Sequence, residues 1–126
     1  MKNILLGVSG SISAYKAADI TNQLTKLGYN LDVVMTKSST EFITPLTIQS
    51  LSHRLVHLDV MDEPDAALIN HIALAKAADL FLVAPASANI IGKLANGIAD
   101  DLLSTVALAL LPDTPKVIAP AMNTYM

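Results

Sequence analysis

The run N-I-L-L-G-V-S-G-S-I-S, residues 3–13, decides the fold. Its first seven residues are apolar on both alternating faces, as in a parallel strand covered by helices on two sides. Gly10 and Ser11 then turn the chain. A helical period follows over residues 12–27, with Ile20, Leu24 and Leu27 on one face and Gly28 as its stop. A buried strand leading through a tight glycine-serine turn into a helix is the repeating unit of a parallel α/β sheet.

Outward from that unit the alternation continues. Residues 31–35 (L-D-V-V-M) read as a second strand, and Ser38 with Glu41 as a capping box opening a short helix. Thr44-Pro45 restarts a helix through about Ser52, and residues 54–60 (R-L-V-H-L-D-V) read as a third strand. An acidic loop, D-E-P-D-A at 62–66, precedes the last turns of a helix over 71–77 and a strong buried strand, D-L-F-L-V-A, at 79–84. Residues 87–95 and 99–110 read as helices parted at Gly97, and 116–119 (K-V-I-A) as a fifth strand. With no composition shift and no linker, the sequence predicts residues 1–126 as a single domain. Its class is a doubly wound parallel α/β sheet, a Rossmann-like or flavodoxin-like three-layer sandwich.

Composition narrows the function. Of 126 residues, 52% are hydrophobic and 15% charged, against about 25% charged in an ordinary domain. Disorder is excluded, and the missing charge predicts a surface partly covered by copies of the chain or by a ligand. A net charge of −3 argues against a partner in nucleic acid. The chain has no cysteine, hence no disulfide, thiolate metal site or thiol nucleophile. Its three histidines lack the H-x-x-x-H spacing of a zinc site, so no metal is expected. No apolar run approaches the roughly 18 residues that would span a membrane, and the apolar N-terminus is too short for a signal h-region. A cytoplasmic location is the expectation.

The residues that could carry chemistry cluster where strands end. Two strands end alike, V-A-P-A at 83–86 and I-A-P-A at 118–121. Small residues and a proline past a strand's carboxyl end leave room for a flat ligand, where open α/β sheets bind theirs. Gly10 and Ser11 bring backbone N–H groups and a hydroxyl to a helix N-terminus, which suits phosphate as well as a plain capped turn. The spacing is neither G-x-G-x-x-G nor a P-loop. T-K-S-S at 36–39 adds three hydroxyls and a lysine at the next strand end; two such edges favour one phosphorylated ligand straddling neighbouring strands. Ser87 and Asn89 in P-A-S-A-N could cap a helix or meet a ring lying against Ala86 and Ala88. His71, placed at the start of a helix in N-H-I-A-L-A, is the candidate acid/base, although a lone histidine is more often structural. Asn123 could bind a carboxylate or carbonyl, with Met122 and Met126 lining an apolar pocket, or could simply be a loop residue. Asp100-Asp101 read as structural residues in a helix's first turn, and Lys93 as a solvated helix lysine.

Taken together, V-S-G-S-I-S, V-M-T-K-S-S, N-H-I-A-L-A-K-A-A-D, A-P-A-S-A-N-I-I-G-K-L-A-N-G-I-A-D-D-L-L and A-P-A-M-N-T-Y-M resemble the FMN-dependent flavoproteins that decarboxylate C-terminal or conjugated cysteine. The resemblance covers essentially the whole chain and is nearest to the phosphopantothenoylcysteine decarboxylases of coenzyme A biosynthesis. It implies FMN contacts at Gly10, Ser11 and Ile12, at Thr36, Lys37 and Ser38, at Ser87, Ala88, Asn89 and Ile90, and at Ala121. It implies His71 as the active-site histidine and Asn123, beside Met122, at the substrate carboxylate. The implied substrate is a small molecule, 4′-phosphopantothenoylcysteine, and the implied assembly a homotrimer or a dodecamer of trimers with flavin between subunits. A peptidyl-cysteine decarboxylase and a non-catalytic FMN-binding regulatory homologue are the alternatives. The family continues past P-x-M-N-x-x-M with a strand, a substrate-covering segment and a reducing cysteine. Residues 1–126 lack these, so they are either part of a longer protein or unable to complete the cycle.

Overall fold

Among the described residues of the computed structural model, four parallel strands form the sheet: β1 (Asn3–Val8), β2 (Asn30–Met35), β3 (Leu80–Ala86) and β4 (Lys116–Pro120), in the order β2-β1-β3-β4. The structure describes residues 2–58 and 64–126, residues 64–70 as backbone alone. The helices are α1 (Lys16–Lys26), α2 (Pro45–Ser52), α3 (Pro64–Ala77), α4 (Ala88–Asn96) and α5 (Leu102–Ala109). The strand order reverses between β1 and β3, which opens a crevice at the carboxyl ends of those two strands.

Alternation along β1 divides the core. Ile4, Leu6 and Val8 face α1 and α2, packing with Ala14, Ala17, Val33 and Ile48. Leu5 faces the other layer, where Leu74, Phe81, Ile90, Leu103 and Val106 meet. Each Val, Leu, Ile or Phe among them contributes about 1.5–3 kcal/mol by leaving water. Gly7 shares the Leu5 face: a Cβ there would stand 2.5 Å from Leu103 Cδ1, so the missing side chain lets α5 lie on the sheet.

The doubly wound parallel architecture agrees with the sequence reading; several local expectations do not. Of the third strand expected over 54–60, the described residues 54–58 pair only at His57, as an isolated bridge to Val34. Its N–H donates to Val33 O at 2.8 Å and its C=O accepts from Met35 N at 2.9 Å. Upstream the chain is diverted: His53 ends α2 in the left-handed conformation, and Arg54 pairs with Asp32 at 2.7 Å. Residues 59 and 60 of that run, and 62 and 63 of the acidic loop, lie outside the described residues; 64–66 belong to α3. His71 therefore stands inside a helix, not at its start. The first helix opens as a 3₁₀ turn over Ile12–Tyr15, because Ser11 caps it by accepting from Ser13 N. The expected Ser38–Glu41 capping box does not form, because the chain turns earlier: Thr36 Oγ1 accepts from Ser39 N at 3.2 Å. The final helix begins at Leu102, not 99, because Asp101 caps it in a reciprocal box with Ser104.

Candidate functional site

Three turns converge at the carboxyl ends of β1, β2 and β3, and Ser9 ties two of them together. It ends an apolar strand and is almost fully buried. Its hydroxyl donates to Pro85 O at 2.6 Å and accepts from Ser87 N at 2.8 Å. Its own N–H donates to Pro85 O at 3.2 Å. The 9–13 turn and the 85–89 turn are thus one unit. Gly10 brings in the third turn: a Cβ on it would stand 2.4 Å from Ser38 Cβ. Only glycine permits this approach.

Within these turns hydrogen bonding separates caps from free groups. Ser39, fully buried, donates to Thr36 O at 2.6 Å, and Thr40 Oγ1 donates to Lys37 O. Thr36 and Ser39 are consumed by the turn, which leaves Ser38 and Lys37 to face outward. Ser87 Oγ accepts from Ile90 N and caps α4, retaining its hydroxyl proton for another acceptor. The amides of Gly10, Ser11 and Ile12 meet no protein acceptor among the described residues.

Two cavities open on these turns and meet at Gly10 and Ser87. One, of about 450 Å³, is lined by Ser11, Ile12, Ser13, Ala88, Ala121, Met122, Asn123 and Met126 besides those two. The other, of about 290 Å³, is lined by Thr36, Lys37, Ser38, Asn89 and Ile90 together with Ser9, Lys93, Asp100 and Asp101. Every residue expected to touch the cofactor lines one cavity or the other, as do Met122 and Asn123. Asn123 Oδ1 accepts from Tyr125 N at 3.0 Å, and its carbonyl accepts from Met126 N. With the oxygen engaged, Nδ2 is the atom left for a ligand, and it is a donor.

His71 is the exception. It is partly buried on α3 and lines neither cavity. The site of one chain brings together the turns and Asn123 but not the histidine.

Sequence reasoning missed four residues. Ser9 carried one signal, a hydroxyl closing an otherwise apolar strand. Lys93, expected on a solvated face, lies largely buried, 2.8 Å from Asp100 Oδ1 and 3.0 Å from Asp101 Oδ2. The turn at Gly97, in the left-handed conformation, folds the two aspartates back onto α4. The bond from Asp100 holds the Lys93 ammonium above its usual range against the opposing pull of burial, and Asp101 adds to it. Burial pushes the Asp101 carboxyl up, but the Ser104 hydroxyl and amide, and then Lys93, outweigh it and hold it below the usual value.

The residues fit a flavin mononucleotide. Amides without acceptors, the Ser11 and Ser38 hydroxyls and Lys37 suit a phosphate. Ala88 and Ala121 leave a shelf without bulk for a ring; Ala86, expected beside it, is instead fully buried in the core and lines neither cavity. Among the described residues no cluster of metal-binding side chains occurs, and no helix is long and apolar enough to cross a membrane.

The comparisons with known proteins agree. Residues 1–126 match the family model described as Flavoprotein. A probable phosphopantothenoylcysteine decarboxylase of Streptococcus mutans is 61% identical over 99% of this chain and 70% of its own length. A coenzyme A biosynthesis bifunctional protein, CoaBC, of Bacillus subtilis is 51% identical over 99% of this chain, which spans only 30% of that protein. Among solved structures, the FMN-dependent cysteine decarboxylase SpaF superposes with a TM-score of 0.86 at 32% identity, covering 99% of this chain and 71% of that one.

Proposed function

The chain belongs to the flavoprotein family, and from that membership we propose FMN-dependent decarboxylation of 4′-phosphopantothenoylcysteine to 4′-phosphopantetheine, a step of coenzyme A biosynthesis. The observation that carries it is the meeting of both cavities at Gly10 and Ser87, with the Thr36–Ser38 turn and Lys37 on one side and the Asn123 donor on the other. When bound, FMN would take two electrons from the cysteine side chain, leaving a thiocarbonyl that accepts the electron pair of departing CO₂, and would return them to the resulting enethiol to give the thiol of 4′-phosphopantetheine.

The residues of this chain have separate tasks. The amides of Gly10, Ser11 and Ile12 with Ser38 and Lys37 hold the phosphate. Ala88 and Ala121 make room for the ring, and Asn89 and Ile90 border it. Asn123 Nδ2 donates to the substrate carboxylate and releases it once it becomes neutral CO₂. Met122 and Met126 exclude water at that end. His71 handles the proton of the chemical step. In an assembly with flavin held between subunits, as the family resemblance implies, it serves the site of a neighbouring copy. The working unit is then at least a homotrimer, or four trimers in a dodecamer, in the cytoplasm. The exposed Ile12, Tyr15, Leu46 and Leu55 supply apolar surface for such contacts. Residues 1–126 act as one flavin domain.

His71→Asn in a full-length protein tests the assignment. FMN should stay bound while CO₂ release falls by about 10²–10⁴-fold, the range for one acid/base group. Near-normal turnover would refute the role of His71. Release of a nicotinamide nucleotide, or no uptake of FMN by the wild type, would refute the function itself.

A further inference from the structure

We propose that Lys93 is a positioning residue for the cofactor: it neutralises and fixes the acidic wall of the cavity that receives an anionic flavin. The proposal rests on FMN being the cofactor.

The wall facing the Thr36–Ser38 turn is formed by Lys93, Asp100 and Asp101. Asp101 is fully engaged, one oxygen with the Ser104 amide and hydroxyl, the other with Lys93. Asp100 is exposed and binds Lys93 through Oδ1. Two carboxylates are an unlikely lining for a phosphate site. With Lys93 and Lys37 present, the charges on this cavity balance; without Lys93, an anion entering it meets net negative charge. Lys93 also joins α4 to the segment after Gly97, so the same ammonium sets where that wall stands. On its far side lies an apolar groove lined by Phe81, Leu94, Ile98 and Leu108, to which Lys93 also contributes. It therefore separates a polar cavity from an apolar one.

A cavity of about 290 Å³ is about 8 Å across, so no phosphate inside it escapes the field of this wall. One unit charge about 8 Å away at an effective dielectric of about 20 changes binding by about 30-fold.

The test compares FMN with riboflavin, which lacks the phosphate, by fluorescence titration of the assembled protein at low salt. Lys93→Met should weaken FMN at least about tenfold while riboflavin changes by less than about threefold, because only the phosphate carries the charge that is repelled. Lys93→Arg should restore FMN binding, since a guanidinium can bridge both carboxylates. Asp100→Asn, a change at an exposed position that leaves both lysines, should tighten FMN severalfold and leave riboflavin alone; it keeps the test decisive if Lys93→Met fails to fold. Equal losses for both flavins would make Lys93 merely structural and overturn the proposal, as would unchanged FMN binding in Lys93→Met or Asp100→Asn. A wild type that takes up neither flavin would overturn the cofactor reading itself.

Discussion

Ser9→Ala removes one oxygen and almost no volume, so its effect can be worked from hydrogen bonds alone. The lost bonds are the donation to Pro85 O at 2.6 Å and the acceptance from Ser87 N at 2.8 Å. Pro85 O keeps a partner in the Ser9 N–H, but the Ser87 amide is left without one. Two neutral hydrogen bonds at about 1 kcal/mol each, plus part of the penalty of about 1–3 kcal/mol for an orphaned buried donor, give a loss of about 2–4 kcal/mol. The loss should be selective, because Ser87 starts the α4 turn against which the flavin ring is proposed to lie. Urea unfolding followed by circular dichroism measures the first effect; fluorescence titration with FMN measures the second, expected as about a tenfold weaker Kd for roughly 1.4 kcal/mol of lost positioning. Ser50→Ala is the control: its hydroxyl bonds only within α2, to Leu46 O, at an exposed position, and its change should stay within about 0.5 kcal/mol. A Ser9→Ala protein as stable as wild type would refute the hydrogen-bond reasoning. One that is destabilised but binds FMN normally would refute the coupling to the site.

Three further outcomes follow from the geometry. Gly10→Ala must push the Ser38 turn away from a contact of 2.4 Å, so the protein should fold but lose FMN affinity, checked by the flavin retained through gel filtration. Asn123→Asp keeps an oxygen for the Tyr125 amide but replaces the free donor with negative charge; FMN should stay bound while CO₂ release falls at least about 10²-fold, and near-normal turnover would contradict the carboxylate role. Burial lowers the His57 pKa below 6.5, with Arg54 in the same direction and Asp32 opposing. The unfolded chain thus binds the proton more readily, and this stability, present above pH 6.5, is lost as pH falls toward the folded-state value; His57→Gln should flatten the acid side of a stability profile measured by thermal unfolding.

The layers were legible because β1 and β3 are apolar on both faces, a pattern only a sheet covered twice explains. The cavity-lining turns were legible because glycine, serine and alanine gather after strand ends, where bulk would normally be free to appear. What escaped was whatever depends on one side chain reaching another far away in sequence. Residues 54–58 have strand periodicity, yet the Asp32–Arg54 pair and the left-handed His53 divert the chain, and periodicity carries no record of either. Asp100 and Asp101 looked like ordinary helix-start carboxylates because their partner, Lys93, lies across a turn on another helix. Ser9 passed for the end of a strand because its partners are about 76 residues away. His71 was named by motif; that it lines neither cavity of its own chain is a fact of packing.

β1 is the interior strand of the sheet, paired with β2 on one side and β3 on the other, and buried from Ile4 through Val8. Amide protons in such a strand exchange with solvent only when the whole domain opens. The turn that receives the cofactor hangs directly from its last residue, so the 10–13 segment is tethered to the slowest-opening part of the molecule. The 97–101 segment, exposed over residues 97–100, is held by the Lys93 carboxylate contacts, the Ile98 amide on Lys93 O and the Asp101–Ser104 box, all near the surface, and belongs to a faster class of openings. A flavin entering or leaving should therefore do so past that segment, on a timescale far shorter than unfolding, while the strand beneath its phosphate stays closed.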